Sequence, residues 1–245
     1  MIGTILIGIG LAGTVACGAF GEGSETVKTL KLGAANAYVV QGERGDLLID
    51  AGMDADGKKL AAALAAAGEK PEDIAVIVVT HAHPDHVGGL AAMKALTGAK
   101  VVCTAEAAGC LRRGASSPIV PRTLMGRFID AISPEWKLAP VEPDLTFVDE
   151  MDLTPLGFAG KAVRMPGHSA DSLCLFLDTG EAFVGDLVRG SGRDLSFGMF
   201  YEDEAACAES LRRVIAASPR TVHLSHGTAT DCPSMEAFLR SAGAR

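Results

Sequence analysis

Thr80-His81-Ala82-His83-Pro84-Asp85-His86 places three imidazoles and a carboxylate within six residues, directly after the apolar run Ile74 to Val79. Six β-branched or apolar residues in succession read as a strand buried on both faces. The chain then turns and delivers the following side chains to one strand end. His81 and His83, two apart, point the same way from an extended backbone. Asp85 and His86 follow Pro84, whose bend aims them at a neighbouring point. Imidazole nitrogens with a carboxylate suit zinc or a similar divalent transition metal. A polar surface loop with scattered histidines is the alternative. It fits poorly, because four of these seven residues are ligand types and the chain has only six histidines.

Composition narrows the class. A chain of 245 residues that is 48% hydrophobic can bury a large core as one domain or two lobes. A formal net charge of -8 repels nucleic acid phosphates and anionic lipid on average, so no nucleic acid partner is expected. The six cysteines (Cys17, Cys103, Cys110, Cys174, Cys207, Cys232) form no C-x-x-C pair and read as small apolar side chains.

The front end differs from the rest. Ile2 to Phe20 carries no charge, and as a helix it spans about 28 Å, close to a bilayer core. Gly21 to Glu25 reads as a polar tether. Against an export signal or anchor, no Lys or Arg precedes the run, and its glycines weaken a helix. An extra strand or buried helix is the competing reading. Thr14-Val15-Ala16-Cys17 is a poor lipoprotein cleavage box. The expectation is a signal or membrane anchor over residues 1–23, membrane association through residues 2–20, and a membrane-associated or exported protein, with a cytoplasmic one as the alternative. Residues 24–245 form the main domain.

Along that domain, strands and helices alternate, which argues an α/β class. Strands are expected at Lys28–Leu32, Ala37–Gln41, Asp46–Ile49, Ile74–Val79, Lys100–Cys103, Ala162–Met165, Leu173–Leu177, Ala182–Val184 and Thr221–Leu224. Helices are expected at Lys58–Ala67, Leu90–Leu96, from Thr104 through Leu111, Leu124–Ile132, Asp203–Ala217 and Met235–Ala242. Arg112 to Pro143 breaks the rhythm with five prolines and Trp136, the only tryptophan. It reads equally as a solvated connector or as an insertion over a site.

Three later strands each end on a ligand-type residue: Met165-Pro166-Gly167-His168-Ser169, Phe183-Val184-Gly185-Asp186 and Ser225-His226-Gly227. Together with an H-x-H-x-D-H motif met in full by His81, His83, Asp85 and His86, these make the chain resemble the metallo-β-lactamase fold superfamily from about Lys28 onward. The resemblance implies an αββα sandwich, two facing mixed sheets with outer helices, and the site at one edge. It puts His81, His83 and His168 on one divalent ion and Asp85, His86 and His226 on a second, with Asp186 bridging. Zinc is the foremost candidate, with iron or manganese possible. A hydroxide shared by two such ions is a nucleophile near neutral pH, and Asp85 serves as proton shuttle. Asp50 reads as a hydrogen-bonding support for the histidine loop, or else as a turn-former.

The resemblance therefore implies a metal-dependent hydrolase of a small-molecule substrate with an ester-like bond (thioester, lactone or similar). Insertions like Arg112–Pro143 shape the substrate pocket in this family, which makes Arg122 and Arg127 candidates for substrate contact, and Tyr201 is a further candidate because it follows the Asp186 loop closely. His83, where diiron flavoproteins carry glutamate, argues against electron transfer. Gly185 to Arg193 is faintly similar to persulfide dioxygenases, which use one iron. That activity, a β-lactamase and a non-catalytic metal-binding module stay as alternatives. His223, opposite His226 on an extended segment, reads as a packed structural residue.

Overall fold

Period-two alternation along the strands decides which side chain enters which layer. A computed structural model describes residues 27–33, 35–42, 44–133 and 136–242. The apolar stretch 2–20, and the anchor or export expectation with it, lies outside the described residues. Among the described residues no helix is long and apolar enough to cross a membrane.

The first sheet follows chain order: β1 (Val27–Lys31), β2 (Asn36–Val40), β3 (Asp46–Ile49), β4 (Ile74–Val78), β5 (Lys100–Thr104) and β6 (Leu145–Phe147). β1 to β3 pair antiparallel, and β3 to β6 pair parallel. Parallel neighbours require crossovers. These contain α1 (Lys58–Ala66), α2 (Pro84–Val87), α3 (Leu90–Thr97), α4 (Ala105–Arg113) and α5 (Leu124–Ile132). The second sheet holds β7 (Glu150–Asp152), β8 (Gly160–Arg164), β9 (Leu173–Leu177) and β10 (Glu181–Phe183). A small hairpin, β11 (Arg189–Ser191) with β12 (Asp194–Ser196), and α6 (Glu204–Ala217) precede its last strand, β13 (Thr221–His223). Its order is β13-β10-β9-β8-β7, and α7 (Cys232–Ala242) follows.

Tyr38, Val40, Leu47, Ile49, Val76 and Val78 face the second sheet and meet Leu173, Leu175, Leu177 and Phe183. Their neighbours Val39, Leu48, Ile77 and Val79 face outward against Leu60, Leu64, Leu90 and Met93 of α1 and α3. On the far side Val163, Cys174 and Ala182 pack against Leu211, Val214 and Met235 of α6 and α7. Burial of each such leucine or isoleucine contributes roughly 1.5–3 kcal/mol. The result is four layers, αββα, and it explains the uninterrupted apolar run of β4, which is covered on both faces. Cys103, Cys174 and Cys207 are free and buried in this packing.

The expected long elements are present with ends moved by one to three residues. Four strands of three residues (β6, β7, β11, β12) and the single-turn helix α2 were not anticipated. The α2 turn begins with Pro84 at its first position, where the missing N–H costs nothing and the fixed φ suits a helix.

Candidate metal centre

The ends of β4, β8, β10 and β13 all open on one edge of the sandwich. Beyond β4 the chain bends at Thr80, His83 is extended (φ -82°, ψ 153°), and α2 then carries Asp85 and His86. His81 Nε2 lies 3.1 Å from His83 Nδ1, and His168 Nε2 lies 3.0 Å from the same nitrogen. His226 Nε2 is 3.0 Å from Asp186 Oδ2 and 3.2 Å from Asp85 Oδ2, while His86 Nε2 is 3.3 Å from Asp186 Oδ1. Two groups result, His81-His83-His168 and Asp85-His86-Asp186-His226, either of which can hold a metal ion. Asp186 Oδ2 is also 3.7 Å from His168 Nε2, so this carboxylate lies against both groups. All seven expected donors are brought together.

The two groups differ electrostatically. Burial, with the nearby rings of His86, His83 and His168, holds His81 well below the ordinary histidine range. Burial likewise lowers His168 to about 4. These two imidazoles are therefore neutral at physiological pH and present lone pairs. In the second group burial opposes charge and loses. Asp85 is held at about 2 by His86 and His226, and Asp186 falls well below the carboxylate range for the same reason. Asp186 and Asp85 in turn raise His226 to about 10 and His86 well above its usual value. Buried His86 Nε2 and Asp186 Oδ1 have no hydrogen-bond partner, although they face one another. Converging imidazole nitrogens with an orphaned carboxylate oxygen fit a divalent ion of the zinc type.

Surrounding groups fix the rings. Asp50 Oδ1 accepts from the Thr80 amide at 2.8 Å, and its Oδ2 accepts from the Thr80 hydroxyl at 2.7 Å. The same Oδ2 lies 2.8 Å from His86 Nδ1, which leaves Nε2 facing the other donors. The Pro118 carbonyl lies 3.1 Å from His83 Nε2, so His83 turns its Nδ1 inward. Asp171 Oδ2 accepts from the Ala82 amide at 2.8 Å and from the Ser117 hydroxyl at 2.7 Å, tying the histidine loop to the second sheet. Asn36 Nδ2 donates to the carbonyls of Leu224 and Gly227, at 3.0 and 3.1 Å, across the His226 turn. Gly227 sits at φ 137°, and a Cβ there would lie 1.8 Å from the Gly190 carbonyl oxygen. Asp171, Pro118 and Asn36 escaped sequence reasoning. Asp171 offered one cue, an acidic residue three places after His168.

His223 stacks on Phe183 (ring centroids 4.6 Å apart, interplanar angle 15°) and pairs with Glu181 at 2.6 Å, away from the donors. A cavity of about 520 Å³ opens above the donors, floored by His83, Asp85, His168, Asp186 and His226. Ile119, Ile129 and Trp136 wall it on one side, and Phe197, Met199 and Phe200 on another. The Arg112–Pro143 segment thus overlies the site. Arg122, Arg127 and Tyr201 do not line the cavity, contrary to expectation. Arg122 donates to the Tyr201 carbonyl at 2.7 Å and lies over the Tyr201 ring, whose hydroxyl donates to Glu204 at 2.8 Å. These two side chains fasten the insertion to the segment before α6. Among the described residues, Asp130 and Arg189 are the charged side chains of the wall besides the donors.

The sequence profile of the metallo-beta-lactamase superfamily matches residues 30–226. A hydroxyacylglutathione hydrolase of Cereibacter sphaeroides is 29% identical over 163 residues, covering 65% of this chain and 50% of that protein. An acyl-coenzyme A thioesterase of Gallus gallus is 34% identical over 154 residues, covering 58% and 52%. The chain thus spans about half the length of these relatives. The structure of Rm3 metallo-beta-lactamase superposes with a TM-score of 0.64 over 89% of this chain and 88% of that one. Identity there is 18%, a likeness of fold alone. The matched region runs from β1 to His226, the last of the seven donors, and the chain belongs to the metallo-beta-lactamase superfamily.

Proposed function

We propose that the protein is a hydrolase that uses two divalent cations to cleave an ester-like bond, a thioester, lactone or related acyl bond, in a small-molecule substrate. The observation that carries this reading is the contact of both donor groups with the single carboxylate of Asp186. When bound, such ions supply an acidified water as nucleophile and polarise the scissile carbonyl. His81, His83 and His168 would hold one, and Asp85, His86 and His226 the other, with Asp186 shared. The nitrogen-rich donors favour zinc, while the carboxylates also admit iron or manganese.

Asp85 has the second task. Its carboxyl borders the cavity and, ionised, offers only acceptor oxygens. Oδ2 accepts a proton from the attacking water and returns it to the departing oxygen, nitrogen or sulfur. Similarity to the hydroxyacylglutathione hydrolase and the acyl-coenzyme A thioesterase supports acyl transfer to water. A 520 Å³ cavity is of the size that encloses a small organic ligand.

Elemental analysis of protein purified without chelator tests the metal count, with about two equivalents expected. A panel of thioesters, lactones and a cephalosporin reporter tests the bond. Asp186→Ala is expected to lower metal content and turnover together. Turnover of the cephalosporin alone would overturn the ester-like assignment. One tightly held iron with sulfur dioxygenase activity would move the protein to the persulfide branch, and absence of metal would leave a non-catalytic module.

A further inference from the structure

A soluble helix ordinarily turns its apolar stripe toward the core, and α5 does the reverse. Leu124 is 85% exposed, Ile132 66%, Phe128 61% and Met125 59%. The helix is nevertheless held in place. Thr123 caps it by accepting from the Gly126 amide at 2.9 Å, and the Arg122 amide donates to the Met199 carbonyl at 2.8 Å. Gly126 is the buried position of α5, and a Cβ there would lie 2.9 Å from the Met199 carbonyl oxygen. The anchored side is therefore the glycine side, and the outward apolar side is a consequence of that docking.

Helical spacing shows where the exposed side leads. Leu124, Phe128 and Ile132 recur every four residues and form one ridge. The adjoining ridge is Met125, Ile129 and Ser133, of which Ile129 and Ser133 line the cavity over the donors. One apolar surface thus continues from the cavity wall, through Ile129, onto the exposed crest at Phe128 and Leu124. Trp136 and Phe200 extend the same wall. Apart from the donors, the charged lining residues among those described are Asp130 and Arg189, one of each sign.

Resting on the hydrolase reading above, we propose that the acyl group of the substrate is a long unbranched apolar chain that leaves the carbonyl, passes Ile129 and Trp136, and lies along the Leu124–Phe128 ridge of α5. Continuity with the cavity selects this occupant: a chain tethered at the reacting carbonyl reaches the ridge without crossing a polar surface. Each buried methylene contributes about 0.8 kcal/mol, so each one added changes kcat/KM or affinity about fourfold.

The test uses metal-loaded full-length protein and p-nitrophenyl acetate, butyrate, octanoate and dodecanoate, each below its aggregation concentration. kcat/KM is expected to climb with chain length, by more than a hundredfold from butyrate to octanoate. The double variant Leu124→Ser/Phe128→Ser is expected to lower the dodecanoate-to-acetate ratio at least tenfold. In parallel, emission of Trp136, the only tryptophan in the chain, is followed during titration with butyrate and with decanoate. These ligands share a carboxylate and differ only in the chain. A response to decanoate at a concentration lower by about a thousandfold or more is expected.

Hydrolysis with no dependence on chain length, and equal responses to the two acids, overturns the acyl-chain site and leaves the hydrolase reading standing. A chain-dependent Trp136 response without hydrolysis of any ester does the opposite. A length dependence that survives unchanged in the double variant overturns the placement on α5. A dimer that dissociates in the double variant, without chain-length dependence, assigns the ridge to a second copy of the protein and also overturns the proposal.

Discussion

Asp50 occupies φ 63°, a left-handed conformation that costs a residue with a side chain about 1–3 kcal/mol. Aspartate and asparagine tolerate this region better than most residues. The strain is offset by contacts that a glycine could not make, with the Thr80 amide, the Thr80 hydroxyl and His86 Nδ1. Asp50→Asn keeps the shape and the backbone tolerance but loses the charge and one accepting oxygen. Metal affinity of that variant is expected to fall 10–100-fold, with secondary structure by circular dichroism unchanged. Wild-type affinity in a chelator competition would show that His86 needs no such support. At this scale the donors were legible because their signature is local: ligand-type residues at a strand end, repeated in order. Asp171 was not, since its partner Ala82 is 89 positions away and only the fold joins them. Arg122 and Tyr201 misled for the same reason. Nothing local shows that Arg122 is committed to backbone carbonyls 79 and 80 residues distant.

At the scale of elements, β4 carries the donor loop and is buried on both faces, with Ile77 directed into the layer of α1 and α3. Truncation there leaves a cavity that the surrounding strands and helices cannot close. Ile77→Ala is expected to cost about 2–5 kcal/mol. The denaturant midpoint should fall while the slope of the transition stays unchanged. Metal content should persist, because the donors hang beyond the end of the strand. A loss of metal with unaltered stability would contradict this division of labour. β4 was legible because five or six apolar residues establish a pattern. β6, β7, β11 and β12 have three residues each, too few to define a period. Unlike the equally short β10 and β13, they do not lead into a donor such as Asp186 or His226. They owe their conformation to neighbours: β6 exists because β5 offers it a parallel edge.

At the scale of the molecule, the donors come from both sheets, so a bound ion ties the two halves together where they open. A ligand that binds only the native state stabilises it by about 4.1 kcal/mol when present at a thousand times its Kd. For a chain of this size each kcal/mol raises Tm by roughly 2–4 °C. Chelation is therefore expected to lower Tm by about 8–16 °C in a thermal scan, and the scan of Asp186→Ala should respond far less. Equal melting with and without chelator would mean that the ions do not brace the sandwich. The α/β class was readable from alternating elements. The pairing of two facing sheets was not, because inward and outward residues of β2, β3 and β4 are equally apolar. That part rested on the family resemblance.

The sheets are also consecutive in the chain. Every strand of the first precedes Val148, every strand of the second follows Asp149, and Val148 itself is exposed. His81, His83, Asp85 and His86 lie on one side of that point, and His168, Asp186 and His226 on the other. A polypeptide severed there becomes two fragments, neither of which owns a complete coordination sphere. Each alone would bare its inter-sheet face and aggregate. Produced together, they are expected to co-purify as a complex that chelator dissociates and zinc restores, with turnover returning in step. The protein would then behave as a split reporter for which the metal is the assembly signal.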